Sequence, residues 1–443
     1  MQKGFNMRLK IRNFAKIKNA EIIIDGITVI AGENNTGKST VGKIIFSSFY
    51  ALSDIESKIL VERIKEIEIT NRLILQNYMD STDLSRTMAA RNVMNLARRI
   101  NLRIKKKIED GGSISEYQIR DTVKSVIKMQ GNADQPVNME EWEDTIEKLV
   151  QNINEILCLP EENIIMEVIT RSFNQVFHNQ INTLSDKEYT EAVLELEIKG
   201  RTDKIIFENN ECKHLTEEVN ILHKAVYVDN PFIVDELSGY NVLNPMSELL
   251  KNNLLYDSKE DVFDGIVGTV RAKEKISDLY EILQSVVDGE IFLGQDDEFY
   301  LRNDKTNEAI SFNNLSTGLK SFVILKMLLE NGGLKEKDVL ILDEPEIHLH
   351  PQWQVAYAEL IVLLQKCFDL SVIVTTHSPY FMDAINLFSC RYKTEKKVNY
   401  YLSSIEDHNV VMQLVTDNID LIYKKMASPI QMLDTLRYEL NNN

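Results

Sequence analysis

The chain has 443 residues, 44% of them hydrophobic and 27% charged, which is typical of a soluble globular protein with more than one domain. Its 50 basic residues against 68 acidic residues give a formal charge of -18, which argues against indiscriminate binding to nucleic acid. The four cysteines are far apart and predict neither a zinc site nor a disulfide framework, and no apolar run is long enough to span a bilayer. We therefore expect a cytoplasmic protein with no membrane partner.

The N-terminal segment predicts strands that lead into a phosphate-binding loop. Apolar residues alternate between Leu9 and Val29, and Asp25-Gly26 is typical of a tight turn, so we expect a hairpin there and a strand at 27–31. The next residues have the spacing Gly-x-x-x-x-Gly-Lys-Ser, in which glycines let backbone N–H groups converge on phosphate oxygens at a helix N-terminus. The predicted nucleotide contacts are Gly32, Asn34, Asn35, Thr36, Gly37, Lys38, Ser39 and Thr40.

The middle of the chain predicts an all-helical insertion. Apolar residues recur at helical spacing from 51 to 185, so we expect an arm or lobe there, between an N-terminal part at 1–50 and the remaining α/β part at 186–443. A dense basic run lies inside the insertion: Arg98, Arg99, Arg103, Lys105, Lys106 and Lys107. A solvated helix face is the favoured interpretation of this run, and contact with nucleic acid or a partner is the alternative.

Two later strands end in residues that suit phosphate chemistry. The apolar run 339–342 precedes Asp343 and Glu344, as in a buried parallel strand that ends at the ligand-binding edge of an α/β sheet. Asp343 and Ser39 are the predicted Mg²⁺ ligands, and Glu344 is the predicted base that deprotonates the attacking water. A second buried strand ends at His377, whose imidazole could reach the γ-phosphate.

A short segment before these strands offers hydroxyls and a glycine at the start of a helix. Ser316, Thr317 and Gly318 place N–H groups and a helix N-terminus where they could meet phosphate. An ordinary helix cap explains Ser316 equally well when it is taken alone. Its position one helix before the Asp343 strand favours a nucleotide-contacting signature.

The order of these motifs resembles that of ABC-class ATPases of the OLD-like group, relatives of the SMC and RecF families. The most characteristic residues are Asp343-Glu344-Pro345-Glu346-Ile347-His348-Leu349-His350-Pro351 and Thr376-His377-Ser378-Pro379. The resemblance implies an α/β fold, namely an ABC-type ATPase head with a P-loop mixed sheet, N-terminal antiparallel strands and a helical insertion. It also implies ATP and Mg²⁺ as cofactors, and head-to-tail pairing in which Ser316, Thr317 and Gly318 of one copy close over ATP held by Lys38 of another.

Two features depart from that group. No glutamine stands where the glutamine loop is expected, and the turn Asp229-Asn230-Pro231 is the candidate substitute. Many OLD-like proteins carry a C-terminal metal-dependent nuclease domain, whereas the chain after His377 is expected to be too short for one. Any nuclease would then be a separate polypeptide.

The leading functional hypothesis is a dimerising ATPase switch or sensor, the ATPase subunit of a prokaryotic anti-phage defence complex. Stand-alone OLD-like ATPases resemble those of Septu- and PARIS-type systems, and a separately encoded effector would be the partner. The alternative is a DNA-clamping repair or chromosome-maintenance ATPase of the RecF or SMC type, which the acidic charge disfavours. A transporter subunit fits less well because Ser39 and Ser316 are too far apart, and a scaffold that never hydrolyses ATP would not need Glu344.

Overall fold

The computed structural model divides into two compact units, the first formed by Met1–Ser53 with Ile169–Asn443 and the second by Asp54–Val168. The residues that it describes are 7–80, 86–129, 137–182, 191–216, 221–239, 244–256, 277–303, 305–426 and 428–441. Within these ranges, no helix combines the length and the apolar character that crossing a bilayer would need.

The first unit is built on a mixed sheet. The strands are β1 (Met7–Phe14), β2 (Ile17–Ile23), β3 (Ile27–Gly32), β4 (Glu191–Ile198), β5 (Arg201–Glu208), β6 (Glu211–Thr216), β7 (Ala225–Val228), β8 (Glu290–Leu293), β9 (Phe299–Arg302), β10 (Ala309–Ser311), β11 (Val339–Asp343), β12 (Ser371–Thr376), β13 (Val398–Glu406) and β14 (Asn409–Leu414). Eleven of the described strands form one sheet in the order β6-β5-β4-β1-β2-β14-β13-β3-β12-β11-β7, and β10-β9-β8 form a separate small sheet. The predicted α/β class with a mixed sheet is confirmed.

Helices cover both faces of the parallel part of this sheet. The helices that lie wholly in the first unit are α1 (Lys38–Leu52), α7 (Pro245–Leu254), α8 (Ser277–Val286), α9 (Thr317–Glu330), α10 (Pro351–Phe368), α11 (Pro379–Arg391), α12 (Asp420–Met426) and α13 (Ser428–Asn441). Strands β13, β3, β12, β11 and β7 run parallel to one another. Every residue of β3 and β7 is buried, as expected for parallel strands covered on both faces. Their carboxyl ends therefore meet at one edge, where α/β sheets bind ligands.

The predicted hairpin at Asp25-Gly26 was wrong. Strands β1 and β2 pair antiparallel around Ala15, whereas β14 and β13 separate β2 from β3 in the sheet. Gly26 serves a different purpose: its φ is 73°, and a Cβ there would lie 2.2 Å from the carbonyl oxygen of Lys397. A glycine is needed because the chain turns tightly under another backbone segment as it moves to a distant place in the sheet.

The strands after His377 complete the nucleotide-binding sheet. Strand β13 pairs parallel with β3, and β14 pairs antiparallel with β13 and parallel with β2. The strand that carries the phosphate loop is therefore flanked by β12 on one side and by this late segment on the other.

The second unit is helical. Its elements are α2 (Ile55–Asp80), α3 (Arg86–Gly111), α4 (Glu116–Lys128), α5 (Met139–Leu157) and the part of α6 (Glu161–Phe177) up to Val168. One apolar core joins α2 to α5 and includes Ile67, Ile100, Val123 and Ile146. Its boundaries at 54 and 168 fall inside the expected insertion at 51–185.

The basic run on α3 lies beside that core. Ile100 and Ile104 are buried, whereas Arg98 and Arg99 are exposed on the opposite side. Arg103 donates to the hydroxyl of Ser125 at 2.8 Å. This arrangement is typical of a solvated amphipathic helix.

Candidate nucleotide-binding site

The phosphate loop joins β3 to α1 and is supported from behind by β13. Gly37 precedes the first residue of α1 with φ of 78°, a conformation that favours glycine. A Cβ on Gly32 would lie 2.3 Å from the carbonyl oxygen of Ser403, and the Ser403 hydroxyl donates to the carbonyl of Thr36 at 2.5 Å. Ser403 therefore fixes the back of the loop, although no local pattern indicated it.

A cleft of about 520 Å³ opens in front of the loop. Most of the predicted contacts line it, namely Asn35, Thr36, Gly37, Lys38, Ser39 and Thr40. Gly32 instead packs against Ser403, and Asn34 is exposed. The loop therefore presents its helix-proximal half to the cleft.

Lys38 is buried at the base of this cleft. Its side chain is 3% exposed, and its ammonium donates to the carbonyl of Glu33 at 2.8 Å. It also lies 2.9 Å from Nε2 of His377 and 3.7 Å from Oε1 of Glu344. Burial lowers the pKa of Lys38, and the charges of Glu344 and Asp343 oppose this shift. A phosphate that enters the cleft would supply the counter-charge that favours the protonated amine.

The carboxylate of Asp343 accepts hydrogen bonds from three hydroxyl groups. Oδ1 accepts from Ser39 at 2.9 Å and from Thr375 at 2.5 Å, and Oδ2 accepts from Tyr227 at 2.7 Å. Burial, followed by the charge of Asp343, raises the pKa of Tyr227 well above its usual value, so Tyr227 remains a hydrogen-bond donor. Tyr227 and Thr375 were not predicted; the available signal was that each stands near the end of a strand beside β11.

The oxygens of Ser39 and Asp343 suit Mg²⁺. The two side chains come from different elements yet lie within hydrogen-bond distance of each other beside the phosphate loop. A hydroxyl and a carboxylate are the hard oxygen ligands that Mg²⁺ prefers, with water and phosphate oxygens filling its other positions.

Glu344 and His377 face each other at the ends of β11 and β12. Glu344 has φ of 52°, and its N–H donates to the hydroxyl of Thr375 at 3.0 Å. Its Oε1 lies 2.5 Å from Nε2 of His377. Because Nε2 carries either a hydrogen or a lone pair, it can satisfy Glu344 or Lys38 but not both at once. The position of Lys38 therefore influences which contact His377 makes.

The opposite wall of the cleft comes from the end of α6 and the segment that follows it. Phe177, His178, Gln180 and Asn182 line it. The ring of Phe177 packs edge-on against Phe14, with centroids 4.9 Å apart. Sequence reasoning missed this wall because it assigned these residues to the helical insertion.

An asparagine network holds this wall in place. Oδ1 of Asn210 accepts from the N–H of Ile181 at 2.8 Å and from that of Asn182 at 3.2 Å. Oδ1 of Asn182 in return accepts from the N–H of Asn210 at 2.8 Å. Hydrogen bonds within the protein therefore preform this wall of the cleft.

The signature residues lie elsewhere on the first unit. Ser316 caps α9 by accepting from the N–H of Leu319 at 3.4 Å. A Cβ on Gly318 would lie 3.0 Å from both the carbonyl oxygen of His348 and the ring of Trp353. Within the described part of the chain, Ser316, Thr317 and Gly318 do not line the phosphate cleft.

Asp229 follows β7 at the same edge of the sheet. It lines a small cavity of about 40 Å³ together with Asp343 and Glu344. Burial raises the pKa of Asp229, and the charge of Asp343 raises it further. The turn at Asp229 stays a prediction as the substitute for the glutamine loop.

A phosphate loop, an acidic strand end and a histidine strand end at one edge of a mixed α/β sheet define the class of P-loop ATPases. The chain belongs to the AAA ATPase domain family, whose sequence profile matches residues 7–382. This finding confirms the ATPase class that the motifs predicted.

Two curated proteins share sequence with parts of the chain. The Septu protein PtuA of Bacillus thuringiensis is 29% identical over 157 residues, which cover 32% of this chain and 34% of that protein. The Retron Ec83 probable ATPase of Escherichia coli is 32% identical over 119 residues, which cover 23% of this chain and 21% of that protein. The chain thus spans about a third and about a fifth of the lengths of these relatives.

Solved structures of SMC heads align along most of the chain. The SMC head domain from Thermotoga maritima has a TM-score of 0.37 at 11% identity and covers 92% of this chain and 98% of its own. An SmcHead bound to the C-winged helix domain of ScpA has a TM-score of 0.37 at 14% identity and covers 93% of this chain and 98% of its own.

Proposed function

We propose that this protein is a Mg²⁺-dependent ATPase that acts as a dimerising switch and controls a separately encoded effector in a prokaryotic anti-phage defence complex. The observation that carries the ATPase proposal is the convergence of Lys38, Ser39, Asp343, Glu344 and His377 at one edge of the sheet.

The chemistry follows from the positions of these side chains. Lys38 and the loop N–H groups hold the phosphates, and Ser39 with Asp343 would hold Mg²⁺, which supplies positive charge to the phosphate oxygens. Glu344 accepts a proton from the attacking water, because it is a carboxylate that reaches into the phosphate cleft. His377 orients Glu344 through the 2.5 Å contact between Nε2 and Oε1.

The opposite wall of the cleft suits the adenine base. Phe177 offers an aromatic surface, and the exposed Gln180 offers an amide group that can pair with the edge of a base. Pockets of this kind are largely apolar, with a few polar groups that fix the orientation of the ligand.

The switch proposal rests on the separation of the signature from the cleft. Ser316 and Gly318 do not line the cleft in front of Lys38, and we infer that a second copy brings its signature to the nucleotide. Head-to-tail pairing would make assembly depend on ATP, which gives ATP different affinities for the paired and unpaired states.

The defence role is supported by sequence similarity to a Septu protein and a retron ATPase. Both matches agree with the motif resemblance to Septu-type ATPases. A DNA-clamping ATPase of the SMC or RecF type is the second candidate, favoured by the basic residues of α3 and disfavoured by the charge of -18.

Hydrolysis by purified protein tests the ATPase proposal. We expect Mg²⁺-dependent phosphate release that Lys38→Ala abolishes together with ATP binding, whereas Glu344→Gln abolishes release but retains binding. The exposed Lys396→Ala serves as the matched control and should behave as wild type. Normal turnover by Glu344→Gln would contradict the role assigned to this residue.

Co-purification tests the switch proposal. Trapping Glu344→Gln with ATP should increase the dimeric or larger even-numbered fraction, and the product of a neighbouring gene should bind to that form. A protein that stays monomeric with ATP and cleaves nucleic acid by itself would contradict an effector-dependent switch.

A further inference from the structure

Glu346 is a buried carboxylate that the ATPase chemistry does not use directly. It lies two residues after Glu344 and is 5% exposed. Its Oε1 accepts three hydrogen bonds from the turn that carries the active-site histidine: from the Thr376 hydroxyl at 2.6 Å, the His377 N–H at 2.7 Å and the Ser378 N–H at 3.2 Å. This one oxygen therefore accepts hydrogen bonds from Thr376, His377 and Ser378 and restrains the backbone of the turn.

A second tie holds the same turn from the other side. The Ser378 hydroxyl donates to Oε1 of Gln354 at 2.8 Å, and Nε2 of Gln354 donates to the carbonyl of Leu349 at 3.2 Å. Gln354 lies on α10, which begins just after the segment that contains Glu346. The turn at His377 is thus hydrogen-bonded to Glu346 and to Gln354.

We propose that Glu346 is a positioning residue for ATP hydrolysis, which acts by fixing the backbone of His377 so that its imidazole meets Glu344. This inference rests on the proposed ATPase function, because it concerns the geometry of the same site. Loss of the anchor would let the His377 turn move, and a displacement of about 1 Å can lower a rate about 100-fold.

The unpartnered oxygen of Glu346 makes the anchor testable by conservative variants. Within the described part of the chain, Oε2 is buried and has no hydrogen-bond partner. A glutamine can keep an oxygen at the Oε1 position and place its amide nitrogen at the Oε2 position. Glu346→Gln should therefore restore most of the function lost in Glu346→Ala, whereas Glu346→Asp withdraws the oxygen by one methylene and should not.

A double-mutant cycle in kcat tests whether Glu346 acts through His377. We expect Glu346→Ala to lower kcat about 10- to 100-fold with little change in the ATP dissociation constant. The same change in a His377→Ala background should lower kcat no further. Glu359→Ala removes another carboxylate that accepts from a hydroxyl, that of Tyr392, and should leave kcat unchanged. Additive losses in the cycle would overturn the proposal.

A nitrogen-detected histidine spectrum tests positioning without turnover. The chain has seven histidines, and the His377 signal is identified by its loss in His377→Ala. Glu346→Ala and Glu346→Asp should shift this signal alone, and Glu346→Gln should return it towards wild type. An unshifted His377 signal in folded Glu346→Asp would overturn the proposal. Absence of hydrolysis by wild type would instead refute the ATPase function, and the spectrum would still decide whether Glu346 positions His377.

Discussion

Nε2 of His377 lies 2.5 Å from Oε1 of Glu344, although the two residues end different strands. The same nitrogen is 2.9 Å from the ammonium of Lys38. Phosphate binding that engages Lys38 would leave the imidazole free to serve Glu344. We therefore propose that occupancy by ATP influences the orientation of the proposed base.

We expect His377→Ala to lower kcat about 10- to 100-fold, because the carboxylate of Glu344 loses the group that orients it. The ATP dissociation constant should change far less. Steady-state phosphate release and equilibrium nucleotide titration measure the two quantities. His408→Ala removes an exposed histidine and is the control. A weaker affinity for ATP with unchanged kcat would show that His377 contributes to ATP binding and not to hydrolysis.

Tyr227→Phe should raise the Mg²⁺ concentration needed for half-maximal hydrolysis, because Asp343 loses one of its three hydroxyl donors. The free energy of unfolding should fall by about 1.5–3 kcal/mol, as expected for a hydrogen bond to a charged group. Tyr401→Phe is the matched control, since this buried hydroxyl accepts from the N–H of Ile23 outside the cleft. Equal Mg²⁺ requirements in both variants would contradict the role of Tyr227.

Ser403→Ala should weaken ATP binding several-fold without changing the chemistry of the bound nucleotide. The reason is that its hydroxyl supports the carbonyl of Thr36 behind the phosphate loop. Ser389→Ala removes another buried hydroxyl, which donates within α11, and should leave ATP affinity unchanged. Nucleotide titration with folded protein compares the two variants.

Mixing Ser316→Arg with Lys38→Ala should restore part of the hydrolysis that each variant lacks alone. A head-to-tail pair of unlike variants has one composite site with an intact loop and an intact signature. The measurement is phosphate release across mixing ratios, with pairing verified by sedimentation. If verified mixed pairs remain inactive, the composite site is excluded.

Glu346→Gln should change how stability depends on pH. Burial raises the pKa of Glu346, so the folded chain holds this proton to higher pH than the unfolded chain does. The ionised carboxylate therefore destabilises the fold above its folded pKa, and this cost disappears as pH falls below the unfolded value. The melting temperature of the variant relative to wild type should rise as pH increases above about 4, the usual pKa of a glutamate, and should level off once Glu346 is ionised in the folded chain. If the melting temperatures of the variant and wild type change in parallel with pH, the raised pKa of Glu346 is contradicted.

The local motifs could be predicted from the sequence because each is continuous in the chain. The phosphate loop needs a strand, glycines and a helix N-terminus in succession, and all three stand between Ile27 and Leu52. Asp343, Glu344 and His377 end apolar runs that had to be buried parallel strands, so their meeting at one edge followed from the fold class.

Only the tertiary structure decided which distant residues support these motifs. Ser403 reaches the phosphate loop because β13 pairs with β3, and Tyr227 reaches Asp343 because β7 pairs with β11. Asp25-Gly26 was wrongly predicted to close a hairpin because a turn pattern shows that the chain reverses but not which strands then pair. Strand order and register depend on packing between segments far apart in the chain, and local periodicity does not determine that packing.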